Sequence, residues 1–304
     1  MADILAYLQA HDVDAERKSI KTDLDALADF GMDVRRCNYG KEYLLLDRDF
    51  ELPEVKLIID SVASSKFLSE KKSDALIKKL GGLVSEHQRK ELRRDVHLLG
   101  RVKSMNNNVL LNADAIQSAI AGNYKIQFKY FHYNIKKERE YTRNYKDGEK
   151  KPYYEVSPSS MLYDNDNYYL LAYFEGDFRT FRVDRMADVK VCEEHREGWE
   201  EFKKIDMGEY TRSTFGMYGG KEESVDMVFQ NRMIDTVIDK FGKDVWLRKA
   251  DDQHFKVTVP VAVSPQFFAW VFGLGNYVTI TGPDSVVKQM KDMLGKVSKR
   301  YTKK

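Results

Sequence analysis

Apolar positions recur at helical spacing in the first third of the chain and alternate with polar positions in much of the middle third. Residues 2–10 and 15–30 show the helical pattern, and Asp14 is placed to cap the second of these predicted helices. The stretches 34–38 and 42–46 can then pair as a hairpin. Two short helices followed by a hairpin match the order of elements in a winged helix-turn-helix.

The next segment, residues 52–84, is predicted to be helical throughout. Pro53 suits a first helical position, and two apolar stripes follow it. Over residues 66–103, eleven Lys/Arg stand against five Asp/Glu. We interpret this part as a helical connector with a solvated basic face, or alternatively as a dimerisation or phosphate-facing arm that places two DNA-binding modules at matching half-sites.

Strand patterns dominate the middle of the chain. After a short predicted helix at 112–121, residues 124–133 alternate apolar and polar positions. Three more strands are predicted over 153–162, 167–175 and 178–183, separated by an Asp- and Asn-rich turn and a Gly-Asp turn.

The last part of the chain changes pattern again. Residues 193–221 are charged and punctuated by glycine, which is typical of a linker. From residue 222 the predicted order is strand, helix, strand, strand, helix, strand and a closing helix that ends at Arg300. This βαββαβ order with one extra helix favours a ferredoxin-like domain over 222–304.

Composition narrows the class of protein. A chain of 304 residues is long enough for two or three domains. The net charge is only +2, so affinity for nucleic acid would have to come from local patches. Cys37 and Cys192 lie far apart, and no run of 18 apolar residues occurs. The sequence therefore predicts a cytoplasmic protein in a reducing compartment, without a membrane span.

Motifs for catalysis are missing from the sequence. The six histidines show no zinc-ligand spacing, and there is no nucleophile elbow, Walker loop or HExxH pattern. Gly273 and Gly275 lack the third glycine of a dinucleotide-binding loop and follow a predicted helix. We therefore predict a protein that is not an enzyme and needs no metal or cofactor.

The second predicted helix carries the residue types of a DNA reader. Its first two turns present basic and hydroxyl side chains, and the hairpin adds basic residues at the wing: Arg17, Lys18, Ser19, Lys21, Thr22, and Arg35, Arg36 and Lys41. Residues 1–50 are nevertheless acidic, with eleven Asp/Glu against seven Lys/Arg. A helical protein-interaction module is the alternative.

Three arginines crowd the strand predicted over 178–183 and the residues after it. Arg179 and Arg185 share a parity, so on a continuous strand they would lie on one face and Arg182 on the other. The fork of donors on an arginine suits phosphate or carboxylate. The alternative is a solvated hairpin whose arginines pair with Asp177, Asp184 and Asp188.

The same stretch resembles a known family. Ser157-Pro158, Tyr168-Tyr169-Leu170 and the run Phe181 to Arg185 resemble the WYL domain, with Tyr168 where the family's name-giving tryptophan stands. The resemblance implies a Sm/SH3-like β-barrel that serves as a sensor module in bacterial transcription regulators. The predicted fold is thus multidomain α+β, in the order winged helix-turn-helix 1–50, helical connector 51–111, WYL barrel 112–192, linker 193–221 and ferredoxin-like extension 222–304.

The N-terminal part adds to the resemblance. Residues 17–24 resemble the recognition helix of WYL regulators, with Thr22 where a basic residue is usual. That motif usually has one more helix before the equivalent of residues 2–10. We therefore expect either a truncated N-terminus or a true start that lies upstream.

The resemblance also implies a ligand site and a function. It points to effector-binding residues on neighbouring strands of the barrel: Tyr130, Ser157, Tyr169, Arg179, Arg182 and Arg185. One arginine, by parity Arg182, is expected to be structural and tied to Asp184. We predict a homodimeric, DNA-binding transcription regulator that senses a nucleotide or single-stranded nucleic acid. The alternative is a nucleic-acid-binding accessory protein without promoter specificity, in a DNA-damage or phage-defence setting. The basic, aromatic segment 134–151 could follow a phosphodiester backbone and stack bases in either protein, and a mobile surface hairpin is the other interpretation of it.

Overall fold

The chain forms two compact units in a computed structural model. The structure describes residues 1–30, 32–37, 42–45, 50–85, 88–90, 92, 102–142, 144–146 and 149–302. One unit comprises Met1–Ser64 and Ser73–Arg101, and the other Ser65–Lys72 and Val102–Lys304. No helix among the described residues is both long enough and apolar enough to cross a bilayer.

The first unit begins with the predicted pair of helices and the hairpin. These are α1 (Ala2–Gln9), α2 (Arg17–Asp29) and the antiparallel strands β1 (Val34–Cys37) and β2 (Glu42–Leu45). The turn between the strands, which holds Lys41, lies outside the described residues. Among the described side chains of α1 and α2, only Ile20 is buried.

The predicted start of α2 is wrong. The helix begins at Arg17, so the N-cap position falls on Glu16 rather than on Asp14, and no side-chain hydrogen bond caps it. Asp14 lies too far upstream to reach the free backbone N–H groups of the first turn, which an N-cap side chain must contact.

The predicted continuous helix over 52–84 is broken in two. The helices are α3 (Leu52–Ser64) and α4 (Glu70–Leu80), followed by a 3-10 turn at Gly81–Leu83. Between the helices, Phe67 and Leu68 are buried in the second unit, and Ser69 Oγ accepts a hydrogen bond from the backbone of Lys72. Burial of this apolar pair outweighs continuation of the helix.

The middle of the chain forms a curled antiparallel sheet behind one helix. The helix is α5 (Val109–Gly122), and the strands are β3 (Tyr124–Tyr133), β4 (Arg139–Thr142), β7 (Tyr154–Asp164), β8 (Asn167–Phe174), β9 (Asp177–Arg182) and β10 (Met186–His195). The sheet has the order β10-β3-β7-β8-β9, with β4 paired to β3. Two short strands, β5 (Asn144–Lys146) and β6 (Glu149–Lys151), pair apart from it.

The core of this sheet is built from the apolar positions of the alternating strands. Ile116 and Ala119 of α5 are fully buried, as are Ile126 and Phe128 of β3. Aromatic rings pack edge to face around Phe181, within 6.4 Å between ring centroids. The same aromatic and β-branched residues that favour strands therefore fill the concave face.

The C-terminal part shows the predicted order of elements. They are β11 (Lys221–Gln230), α8 (Ile234–Phe241), β12 (Leu247–Lys249), β13 (His254–Val263), α9 (Pro265–Gly273), β14 (Val278–Gly282) and α10 (Asp284–Thr302). The strands form an antiparallel sheet in the order β12-β13-β11-β14. Ser264 caps α9 by accepting from the backbone of Phe267.

The segment between the two sheets has regular structure. It contains α6 (Trp199–Phe202) and α7 (Met207–Ser213), the latter capped by the side chain of Asp206. Beyond α7, Phe215 is buried in the core of the C-terminal sheet and its helices. We call residues 199–219 the bridge segment.

Candidate functional site

A pocket of about 420 Å³ lies between the curled sheet and the bridge segment. Strands β3, β8 and β9 form one wall and residues 210–219 the other. The pocket is lined by Tyr130, Tyr169, Phe178, Arg179, Thr180, Arg182, Tyr210, Gly216, Met217, Tyr218 and Gly219. Four of the predicted effector residues are thus brought together: Tyr130, Tyr169, Arg179 and Arg182.

Arg179 presents its charge to this pocket with little local compensation. Its guanidinium lies 4.9 Å from the centre of the Phe174 ring and 3.5 Å from a carboxylate oxygen of Glu175. Both side chains of this ion pair are about half exposed, at 52% and 47%. Exposed pairs of this kind hold an arginine weakly, so Arg179 can turn toward an anionic ligand.

Arg182 is held firmly by its neighbours. Its Nε and Nη2 donate to the two carboxylate oxygens of Asp184, each at 2.9 Å, and Nη2 also donates to Asn167 Oδ1 at 2.8 Å. Asp184 is only 7% exposed, so this fork compensates a buried carboxylate. Arg182 lines the pocket, but most of its donors are already in use.

The strand parity expected for the three arginines is wrong. Strand β9 ends at Arg182, and Val183–Arg185 form a 3-10 turn. Arg185 therefore leaves the face of Arg179. Its guanidinium lies 4.7 Å from the centre of the Tyr133 ring, and it does not line the pocket.

Two asparagines that the sequence analysis missed stabilise this turn. Asn106 Nδ2 donates to the carbonyls of Asp184 and Met186, and Asn112 Nδ2 donates to Met186. Both asparagines are buried. The signal that could have revealed Asn112 is a polar residue on the apolar face of a predicted helix, because such a residue needs a partner.

Tyr130 connects strand β3 to β9. Its hydroxyl accepts a hydrogen bond from the backbone N–H of Arg182 at 3.1 Å. Burial raises the pKa of the Tyr130 hydroxyl, and burial likewise raises the pKa of Tyr169 and Tyr210. These three phenols therefore remain neutral at physiological pH and can donate to a ligand.

The C-terminal end of the bridge segment is fixed on two sides. On the pocket side, Thr180 Oγ1 donates to the carbonyl of Met217 at 2.7 Å. On the other side, Phe215 packs among Phe241, Phe267 and Trp270, and Lys240 Nζ donates to the carbonyl of Thr214. The turn between these anchors uses positive φ at Gly216 and Met217.

Ser157 lies in a different cavity. Its hydroxyl accepts a hydrogen bond from the backbone N–H of Glu197 at 2.8 Å, which ties the strand to the chain just before the bridge segment. The adjoining cavity, of about 210 Å³, is lined by Glu155, Glu175 and Glu197 as well as by lysines. Ser157 therefore lines this mixed-charge cavity and not the arginine-lined pocket.

Those of the predicted DNA contacts that the structure describes all lie on the surface of the first unit. Every one of Arg17, Lys18, Ser19, Lys21 and Thr22 on α2 is exposed. On the hairpin, Arg35 donates two hydrogen bonds to Asp33, whereas Arg36 lies 5.4 Å from the centre of the Tyr43 ring. Three cations on α2 and Arg36 are therefore available to phosphate.

The chemistry of the pocket suits binding of an anion. Two guanidinium groups and four tyrosines line it, and none of its lining residues is a carboxylate. Within the described part of the chain, no group of three or more His, Cys, Asp or Glu residues is arranged to hold a metal ion.

Comparisons with known proteins place two domains in the chain. A family model described as the WYL domain matches residues 112–191, and one described as the WCX domain matches residues 221–298. A search of curated proteins found no match.

Two solved structures are similar over most of the chain. The proteasome accessory factor B/C (PafBC) of Arthrobacter aurescens is 14% identical with a TM-score of 0.31, covering 82% of this chain and 35% of that one. A structure titled a CRISPR Cas-related protein is 14% identical with a TM-score of 0.38, covering 84% and 75%. The chain thus spans about a third of the length of PafBC. The two domain matches, by contrast, fall on the curled sheet and on the C-terminal sheet, and the chain is therefore a WYL-domain protein with a WCX domain after it.

Proposed function

We propose that this protein is a cytoplasmic, DNA-binding transcription regulator that responds to an anionic effector bound in the pocket beside the WYL sheet. A homodimer would read two operator half-sites through α2 and the hairpin. We interpret the first unit's hairpin and helices as a winged helix-turn-helix, the WYL sheet as Sm-like and the WCX domain as ferredoxin-like.

The observation that carries the proposal is the setting of Arg179. It is a weakly compensated guanidinium in a pocket whose lining has four tyrosines and no carboxylate. Phosphate would pair with the guanidinium, and the tyrosine rings could stack on bases. Stacking of a base on an aromatic side chain is worth about 1–3 kcal/mol. A nucleotide or a short single strand of nucleic acid therefore suits the pocket.

Regulation requires that the effector bind two states of the protein unequally. The pocket offers a physical basis for such a difference, because one wall is the bridge segment. A ligand that contacts Tyr210 and Tyr218 together with Arg179 favours the state in which the bridge segment lies against the sheet.

The experiment is a fluorescence-anisotropy titration with a labelled single-stranded oligonucleotide of random sequence, beside a duplex of equal length, at two salt concentrations. We expect preference for the single strand and at least about tenfold weaker binding by Arg179→Ala. Arg248→Ala is the matched control, since Arg248 also lies over an aromatic ring, at 3.7 Å from the Trp246 centroid. Equal loss in both variants would show only a general effect of charge.

One observation favours the alternative of an accessory nucleic-acid-binding protein without promoter specificity. Arg35, a predicted wing contact, is already paired with Asp33 in the same unit. This leaves fewer cations to position a reading head on a duplex. A nuclease footprint over a defined, roughly palindromic site supports the regulator. Sequence-independent binding with a steep dependence on salt supports the accessory protein.

A further inference from the structure

The WCX domain contains a second cavity, which shares no lining residue with the arginine pocket. Its volume is about 490 Å³, within the range of small-molecule sites. The end of α9, strand β14 and one face of α10 enclose it. Its apolar wall consists of Val271, Phe272, Ile280, Val287, Met290 and Leu294.

This apolar wall remains partly open to solvent. Phe272 is 62% exposed and Leu294 is 38% exposed, although both belong to helices that otherwise pack on the sheet. Val278 and Ile280 of β14 form the floor and are nearly buried. An apolar chain placed here would cover the exposed rings and methyl groups, which is favourable in proportion to the area removed from water.

Two nitrogen donors at the cavity, beside the Thr279 hydroxyl, determine the kind of ligand. The Lys291 ammonium and the Asn276 side-chain amide line the cavity, and neither makes an ion pair or hydrogen bond with any residue in the described part of the chain. No carboxylate belongs to the lining. Both groups can donate, and only one carries charge, which matches a single carboxylate better than a polyanion.

We propose that this cavity is a binding site for an amphipathic carboxylate, a molecule with one apolar chain and one carboxylate group. The chain would lie on Phe272, Met290 and Leu294, and the carboxylate would accept hydrogen bonds from Lys291 and Asn276. The site is independent of the effector function proposed above.

A second copy of the protein fits the cavity less well. A second copy paired across a twofold axis would present the same surface, with its Lys288 and Lys291, from both sides, and the cavity lining offers no carboxylate to compensate these charges. Like charges across an interface are unfavourable. The unpaired ammonium therefore favours an anionic occupant.

The test uses the full chain and decanoate as the probe, with decanol as its neutral equivalent. Calorimetric titration should show saturable 1:1 binding of decanoate and weaker binding of decanol. Methyl-labelled methionine, with the signal of Met290 assigned through Met290→Leu, should report the site by a shift of that signal.

Three variants distinguish the proposal from its rivals. Lys291→Glu should weaken decanoate binding by at least about tenfold and leave decanol unchanged. Leu294→Asp should remove both, at a partly exposed position that tolerates the change. Lys299→Glu, on the same helix outside the cavity, is the matched control and should bind like the parent protein.

The proposal is overturned by any of three results. These are no saturable binding, equal affinity for decanoate and decanol with no effect of Lys291→Glu, or a shift of the Met290 signal on dilution without ligand. The last result would assign the cavity to self-association. None of these results changes the outcome expected from the oligonucleotide titration of the Arg179→Ala variant. The carboxylate site and the effector pocket can therefore be refuted independently.

Discussion

Arg182 belongs both to the pocket and, through its ion pair with Asp184, to the framework behind the pocket. The arginine reaches the pocket with one edge, while two of its nitrogens hold a buried carboxylate. Arg179, four residues after Glu175, has only an exposed partner. The two arginines should therefore respond very differently to removal.

We expect Arg182→Ala to lower the free energy of unfolding by about 2–3 kcal/mol, because it removes both guanidinium hydrogen bonds to the buried Asp184 carboxylate and leaves only Arg185, whose Nε lies 3.8 Å away. Arg179→Ala should change stability by less than about 0.5 kcal/mol. Chemical denaturation of both variants measures this. The double variant Arg182→Ala, Asp184→Ala should recover part of the loss. Strictly additive losses would contradict a direct coupling.

Asp226 gives a prediction for the acid side of the stability profile. The hydrogen bond from Thr258, followed by that from Lys256, lowers the pKa of this carboxyl below its ordinary 3.8. Its stabilising contribution is therefore complete above that value and is lost as the pH falls through the lowered pKa. Asp226→Asn should flatten the profile in this window.

The control for this effect is Thr258→Val, which removes the largest cause of the shift at an exposed strand position. Thermal unfolding between pH 2 and pH 6 compares the three proteins, and we expect the valine variant to lose part of the slope. An unchanged slope in Asp226→Asn would assign the acid dependence to other carboxylates.

At the residue scale, the sequence indicates the cluster of arginines but not the position of every side chain in it. The crowding of Arg179, Arg182 and Arg185 was visible, and so was the expected tie between Arg182 and Asp184. The turn that redirects Arg185 was not visible, because Asn106 and Asn112, distant in sequence, hold its carbonyls. Local patterns contain no information about such distant partners.

At the scale of elements, the bridge segment links the pocket to the WCX domain. Residues 193–221 read as a linker because charges and glycines hide the apolar residues between them. Phe215 nevertheless enters the C-terminal core. Strand β3, in contrast, has the predicted bounds, since a regular alternation is a strong local signal.

The hydrogen bond from Thr180 to Met217 allows this link to be tested. Thr180→Val keeps the shape of the side chain but removes the donor, at a cost of about 1 kcal/mol. We expect weaker oligonucleotide binding, by about fivefold, because the second wall of the pocket is then held less firmly. The same anisotropy titration measures it.

Thr281→Val is the matched control, since Thr281 also donates to a backbone carbonyl, that of Asp226, in the same unit but outside the pocket. It should bind like the parent protein. Unchanged binding in Thr180→Val would mean that the bridge segment takes no part in ligand affinity.

At the scale of the molecule, we expect the two units to unfold in separate transitions, which two spectroscopic signals can distinguish. All three tryptophans, Trp199, Trp246 and Trp270, lie in the second unit, so fluorescence follows that unit alone. Far-ultraviolet circular dichroism follows the helices of both. We expect an oligonucleotide that binds the pocket to raise the fluorescence midpoint, because it binds only the folded second unit.

A variant in the core of the first unit provides the complementary measurement. Ile59 is 2% exposed and packs beside Val55 and Leu92. Ile59→Ala should destabilise that unit by about 2–4 kcal/mol and shift the dichroism transition, with the fluorescence midpoint unchanged. A parallel shift of both signals would mean that the units unfold together.

The anchors of the bridge segment leave little freedom in its length. Phe215 lies in the WCX core and the carbonyl of Met217 is held by Thr180, with Gly216 alone between them. An insertion or deletion here could satisfy one anchor but not both. In an alignment of this chain with other WYL proteins, a gap between these two positions would mark a protein whose pocket and WCX domain move independently. An ungapped match would mark a protein in which the two are mechanically joined.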